Sequence, residues 1–161
     1  MATGFEKHDD HIDETGAFDP KAFQNWVDAV NETTIEVFRN NKGRVGTLGD
    51  GLLRPLLFTH TGRKSGKQYT TPIAAIQDND TWVITASMSG SPVHPQWYHN
   101  LIADPNVIVE VGEEKFAARA RVAEGEERER LFKALSAGSE RFEIVAARSS
   151  RVFPVIVFER V

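Results

Sequence analysis

Two stretches of chain that double back on short polar turns constrain the fold more than any other feature. Thr70 to Ile76 and Thr81 to Ala86 flank Asp78-Asn79-Asp80, and Asn106 to Val111 and Lys115 to Val122 flank Gly112-Glu113-Glu114. Asn, Asp and Gly tolerate the left-handed backbone of a tight turn, so each stretch reads as a β-hairpin. In the last segment Phe116, Ala118, Ala120 and Val122 share one face while Lys115, Arg119 and Arg121 take the other, the two-residue period of a half-buried strand. Leu56-Leu57-Phe58-Thr59-His60 adds a short buried run, and Val152 to Phe158 a final strand. Hairpins outnumber crossovers, and open edges favour closure. The expectation is an antiparallel α+β fold, a barrel of six or seven strands with peripheral helices.

The helices have their own signals. Asp19 can cap a helix that Pro20 opens, along which Phe23, Trp26, Val27, Val30, Thr34, Val37 and Phe38 form one apolar stripe. Asn40-Asn41-Lys42-Gly43 ends it. Gly43, Gly46, Gly49 and Gly51 then form a loop able to approach a ligand. Pro95 opens a short helix to about Ile102, Glu126 to Ser136 is another, and Glu140 to Ala147 a fourth. Residues 1–18 read as a polar arm, and 19–161 as a single domain, since 161 residues fill one core but not two. His8 and His11 in the arm stand among aspartates, but ordering a tail around a metal is costly.

A net charge of −4 argues against general binding of nucleic acid. The absence of cysteine excludes disulfides and thiolate chemistry. No run approaches the roughly 20 apolar residues needed to span a bilayer. The expected location is the cytoplasm, with contact at a membrane surface left open.

Three segments carry chemistry. Thr59 to Lys67 packs Arg63, Lys64 and Lys67 with Ser65, Gly62 and Gly66 after a strand. Such a turn can hold a phosphate through backbone N–H groups and a guanidinium fork; it equally suits a solvated hairpin. Ala86-Ser87-Met88-Ser89-Gly90 is small enough for a flat ring to lie on, or is an ordinary loop. His94-Pro95-Gln96-Trp97-Tyr98-His99-Asn100-Leu101 places Trp97 and Leu101 toward a core, leaving Tyr98 and Asn100 to meet a ligand. His94 and His99 are five apart, which does not match a helical metal pair, and no metal site is expected.

Together these segments, with Thr71-Pro72, Ala103-Asp104-Pro105 and Phe153 to Glu159, resemble the deazaflavin-dependent nitroreductase family of actinobacteria. The resemblance covers about residues 20–161 and implies an FMN-binding split-barrel-like fold and the coenzyme F420. By it, Arg63, Lys64, Ser65 and Gly66 would hold the phosphate; from its charge alone, Lys67 would meet the anionic tail. Ala86, Ser87 and Met88 would line the deazaflavin ring, with Pro72, Pro95, Trp97, Tyr98 and Asn100 around it. The proton that follows the hydride would come from Ser87, Tyr98 or solvent.

The chain departs from the family's namesake near its C-terminus, where Ser139, Phe142 and Val145 stand at positions of tyrosines in the substrate pocket. Phenols donate hydrogen bonds to a nitro group; Phe and Val cannot. The expected activity is hydride transfer from the reduced coenzyme to a small electron-poor acceptor, such as a quinone or an α,β-unsaturated lactone. A non-catalytic coenzyme carrier and an FMN-type split-barrel oxidoreductase are the alternatives.

Overall fold

The computed structural model describes residues 15, 17, 19–46 and 52–161. The arm with His8 and His11, and Gly49 and Gly51 of the glycine-rich loop, lie outside the described residues.

A closed barrel of six antiparallel strands forms the centre, in the order β1-β2-β3-β6-β5-β4. Its strands are β1 (Arg54–Thr61), β2 (Gln68–Asp78), β3 (Thr81–Thr85), β4 (Asn106–Val111), β5 (Glu114–Val122) and β6 (Val155–Arg160). Both expected hairpins form, β2–β3 in register Asp78↔Thr81 and β4–β5 in register Val111↔Glu114. Their turns contain the left-handed residues Asn79 (φ 53°) and Gly112 (φ 55°). The helices are α1 (Pro20–Asn40), α2 (Gln96–Ala103), α3 (Gly125–Gly138) and α4 (Arg141–Arg148).

Strand alternation creates two cores. Leu56, Phe58, Ala75, Ile84, Val109, Ala118, Ala120 and Phe158 fill the barrel, with Phe58 and Phe158 ring centroids 5.3 Å apart. Ile76, Val83, Val155 and Val157 point outward onto Leu131 and Leu135 of α3. One end of the barrel is plugged by α2, whose Trp97 meets Phe58 edge-on at 5.2 Å.

The N-terminal helix starts as its sequence dictates: the Asp19 carboxylate accepts from the N–H groups of Lys21 (2.9 Å) and Ala22 (3.1 Å). Its apolar stripe is only partly covered, however. Phe38 is buried, but Trp26, Val30 and Val37 are exposed, because α1 leans on β2 along one narrow line. The last strand also differs from expectation. It begins at Val155 rather than Val152, where pairing with Thr85 begins, and Val152 is left in solvent.

Gly43 ends α1 by donating its N–H to the Phe38 carbonyl at 2.8 Å. It packs on Gly112 in the β4–β5 turn, beside the first residues of β1. The basic turn lies at the other end of β1, so Gly43 sits away from the site described next.

Candidate functional site

A cleft of about 820 Å³ runs over β2 between α1, the loop after β3 and the start of α2, and reaches the plugged end of the barrel. That volume suits a cofactor-sized ligand. Arg63, Lys64, Ser65, Pro72, Ser87, Met88, Pro95, Trp97 and Asn100 all lie on its wall. Gly66, Lys67, Ala86 and Tyr98 do not. Ala86 is fully buried behind Ser87, and Tyr98 packs toward the barrel core with its ring 4.7 Å from that of His94. Among the acceptor-pocket residues, Phe142 reaches the cleft; Ser139 and Val145 stay off its wall.

The basic turn closes on itself. Gly62 N–H donates to the Lys67 carbonyl (2.7 Å), and Gly66 N–H to that of Gly62 (2.9 Å). Gly66 supplies the left-handed backbone, at φ 70°. Arg63 is already engaged: its Nη1 donates to Asn100 Oδ1 (3.0 Å) and its Nη2 to Gln96 Oε1 (2.9 Å). The turn is thereby fastened to α2. Among the described residues, Lys64 and Lys67 have no carboxylate in ion-pairing range, leaving two exposed cations at this end of the cleft.

Arg151, which carries no local sequence signal, shapes the loop after β3. Its guanidinium donates to the carbonyls of Ala86 (3.0 Å), Ser87 (2.8 Å) and Ser91 (2.8 Å), and lies 2.9 Å from His94 Nδ1. This contact fixes the neutral His94 ring with its proton on Nε2, and burial together with the nearby Arg151 charge lowers its pKa. Met88 sits in the same loop at φ 45°, a strained conformation for a side-chain-bearing residue and one held on the cleft wall.

Asn100 differs from expectation. It shares the buried side of α2 with Leu101, and both ends of its amide bond within the protein. Sequence spacing also missed His60, buried at the end of the barrel with Nδ1 3.2 Å from Asn100 Nδ2 and Nε2 3.0 Å from Thr71 Oγ1. Burial pushes the His60 pKa down to about 4. Between pH 6.5 and 4 the unfolded chain therefore binds a proton that folded His60 refuses. The resulting stability is present above pH 6.5 and is lost as pH falls through this window. Acidification from pH 7 to 5 is expected to remove about 2 kcal/mol through this group. Urea midpoints of wild type and His60→Gln at the two pH values check this; equal losses would show that His60 is not held neutral.

The apolar side of the cleft comes from Phe23, Trp26, Val27 and Ile35 of α1 and Phe142 of α4. Helix α1 also lines the cleft with Gln24, Asp28, Asn31 and Glu32, so the cover is mixed. Cations at one end, small residues and hydroxyls along the floor, and apolar side chains on α1 and α4 suit a ligand with an anionic end and a flat ring.

Comparison with known proteins agrees with this geometry. The model of the F420H(2)-dependent quinone reductase family matches residues 31–160. An F420H(2)-dependent quinone reductase of Mycobacterium tuberculosis is 33% identical over 127 residues, 77% of this chain and 85% of that protein. A solved F420-H2 dependent reductase is 34% identical with a TM-score of 0.62, over 71% of this chain and 99% of that one. A solved domain-swapped dimer is 32% identical with a TM-score of 0.64, over 84% of this chain and 98% of that one. The family match starts within α1 at residue 31, so Phe23, Trp26 and Val27 on the cleft wall precede it. Every strand of the barrel and the whole basic turn fall inside it, and the chain belongs to the F420H(2)-dependent quinone reductase family, as an F420-dependent reductase.

Proposed function

We propose that the cleft holds reduced coenzyme F420 with its phosphate at the basic turn and its ring on the Ser87–Met88 loop, and that the second substrate is a flat, uncharged quinone or conjugated lactone beneath α1. The observation that carries this reading is Lys64 on the cleft wall, with Lys67 on the same turn and neither in ion-pairing range of a carboxylate among the described residues, at one end of a cleft whose far side α1 lines with apolar groups beside Asp28 and Glu32. Those features fit a coenzyme with a phosphate and an anionic tail.

When bound, the coenzyme supplies one hydride, and with one added proton a quinone becomes the hydroquinone. The protein's own residues bind, orient and protonate. Lys64 takes the phosphate, with Ser65 and the Gly66 turn beside it, and Lys67 lies within the reach of a longer tail. Pro72, Pro95 and Trp97 confine the ring, while Arg63 and Asn100 hold the turn and α2 together. Ser87 is the better proton source of the two side chains: it is on the cleft wall, and its hydroxyl makes no hydrogen bond among the described residues. Tyr98 stands behind the wall. Phe23, Trp26, Val27, Ile35 and Phe142 exclude water from the acceptor and offer no donors to a nitro group. The partner is thus a small molecule. No helix among the described residues is long and apolar enough to cross a membrane.

The test is anaerobic oxidation of the reduced coenzyme, followed optically, with a soluble naphthoquinone, a coumarin-type lactone and a bicyclic nitroimidazole at equal concentration. Quinone and lactone turnover is expected, with slow or undetectable nitroimidazole reduction. The coenzyme should bind at micromolar dissociation constants, with Lys64→Ala weakening it by about 1.5–3 kcal/mol. Binding without oxidation by any acceptor would indicate a carrier. Equal or tighter binding of FMN would overturn the coenzyme assignment.

A further inference from the structure

The hydroxyl and amide groups around the cleft differ in whether their protons are directed. Thr85 Oγ1 donates to the Pro154 carbonyl (3.1 Å), Thr70 is paired with Thr59 (2.9 Å), and Ser65 with the Tyr69 hydroxyl (3.1 Å). Thr71 is different. Among the described residues its hydroxyl meets one partner, His60 Nε2, and the roles in that contact can be assigned from its neighbours.

Asn100 Oδ1 receives two donors that cannot be anything else, the Arg63 main-chain N–H at 3.1 Å and the Arg63 guanidinium at 3.0 Å. A guanidinium and an amide N–H have no acceptor role, so the Asn100 amide is fixed with oxygen toward Arg63 and nitrogen toward His60. Asn100 Nδ2 then donates to His60 Nδ1, which must be unprotonated. The neutral imidazole carries its proton on Nε2 and donates it to Thr71 Oγ1. Thr71 is left with its own proton, for which no acceptor exists among the described residues, on the wall of the cleft. A chain of four residues thus converts the charge of Arg63 into the orientation of one hydroxyl.

We propose that His60 is a positioning residue which, locked in one tautomer by Asn100, makes Thr71 an obligate hydrogen-bond donor into the cleft, where it binds a carbonyl oxygen of a flat conjugated ring. An oxygen that gains electron density on ring reduction is the acceptor such a donor favours, because hydrogen bonds to a more negative acceptor are stronger. Two sources carry that chemistry, the ring carbonyls of the coenzyme and the carbonyl of a quinone. The ligand half of the inference rests on the proposed function; the tautomer half does not.

Thr71→Val keeps the shape and removes the donor, and Thr71→Ser restores it. Two titrations separate the sources: fluorescence-monitored binding of oxidised coenzyme F420, and KM for a soluble naphthoquinone. Thr71→Val is expected to weaken one of them about tenfold and leave the other within about twofold, with Thr71→Ser near wild type. In the free wild-type protein, nitrogen-15 signals should show His60 protonated at Nε2 and bare at Nδ1. In the His60→Phe variant, Thr71→Val should have lost most of its additional effect. Unchanged coenzyme affinity and quinone KM in Thr71→Val, with a wild type that binds both, would overturn the donor role alone. A protonated Nδ1 would overturn the positioning role. A wild type that binds no coenzyme fails the proposed function instead, and the nitrogen-15 result still decides the tautomer.

Discussion

Arg151→Met is expected to lose coenzyme binding and activity together, with a drop in stability of about 2–4 kcal/mol. Methionine retains much of the length and apolar contact of the arginine stem over Phe153, where the guanidinium lies 4.7 Å from the ring centroid. It has no donors. The carbonyls of Ala86, Ser87 and Ser91 would each lose a charge-assisted hydrogen bond, and Ala86 is fully buried, so water cannot replace the contact without opening the loop. The loop carrying Ser87 and the strained Met88 would then relax away from the cleft. Arg151→Lys should recover little, since a single ammonium cannot reach three carbonyls spread over six residues of chain in the planar arrangement of a guanidinium. Thermal unfolding and coenzyme titration of both variants check this. Wild-type affinity in a folded Arg151→Met would show that the loop keeps its shape unaided.

Gly43→Ala is expected to destabilise the fold by about 3 kcal/mol or more. A Cβ on Gly43 would stand 1.8 Å from the Gly112 carbonyl oxygen and 2.4 Å from its carbon, and both are backbone atoms that no side-chain rotation can move. The residue is also left-handed, at φ 72°. Gly46 is a built-in control: at φ 76° it pays the same backbone strain, yet nothing lies within 4 Å of its Cβ position. Gly46→Ala should cost only about 1 kcal/mol. Urea unfolding of the two variants separates strain from collision. Similar losses for both would mean that the α1 end and the β4–β5 turn are not packed together as described.

Much of the barrel was legible before any coordinates. The two hairpins, the Asp19 cap and the faces of β5 follow from interactions between residues a few positions apart, and local chemistry fixes those. The small-residue loop and the basic turn were legible in the same way, as was Trp97 against the core. The grouping of Asn100 with Tyr98 was not. Residues 97, 100 and 101 share one side of a helix, but which polar residue on a short helix finds a buried partner depends on what the barrel presents, here His60 and Arg63.

The sequence by itself therefore determined the antiparallel strands, the turn positions and the set of residue types around the cleft, because strand period, left-handed turns and helix caps act over short separations. Only the tertiary structure decided which of those residues meet. Arg151 reaches Ala86 across 65 positions, and His60 reaches Asn100 across 40. The exposed stripe of α1 has the same origin: Val30 and Val37 match the helical period of Phe38, yet burial requires a facing surface, and the barrel supplies it mainly along β2. Val152 likewise has a strand former's side chain and stays in solvent, since a strand begins only where its neighbour offers hydrogen bonds, at Val155 opposite Thr85. Local preference sets what each segment can become, and partner geometry, which no short window of sequence encodes, sets which groups are brought within bonding distance.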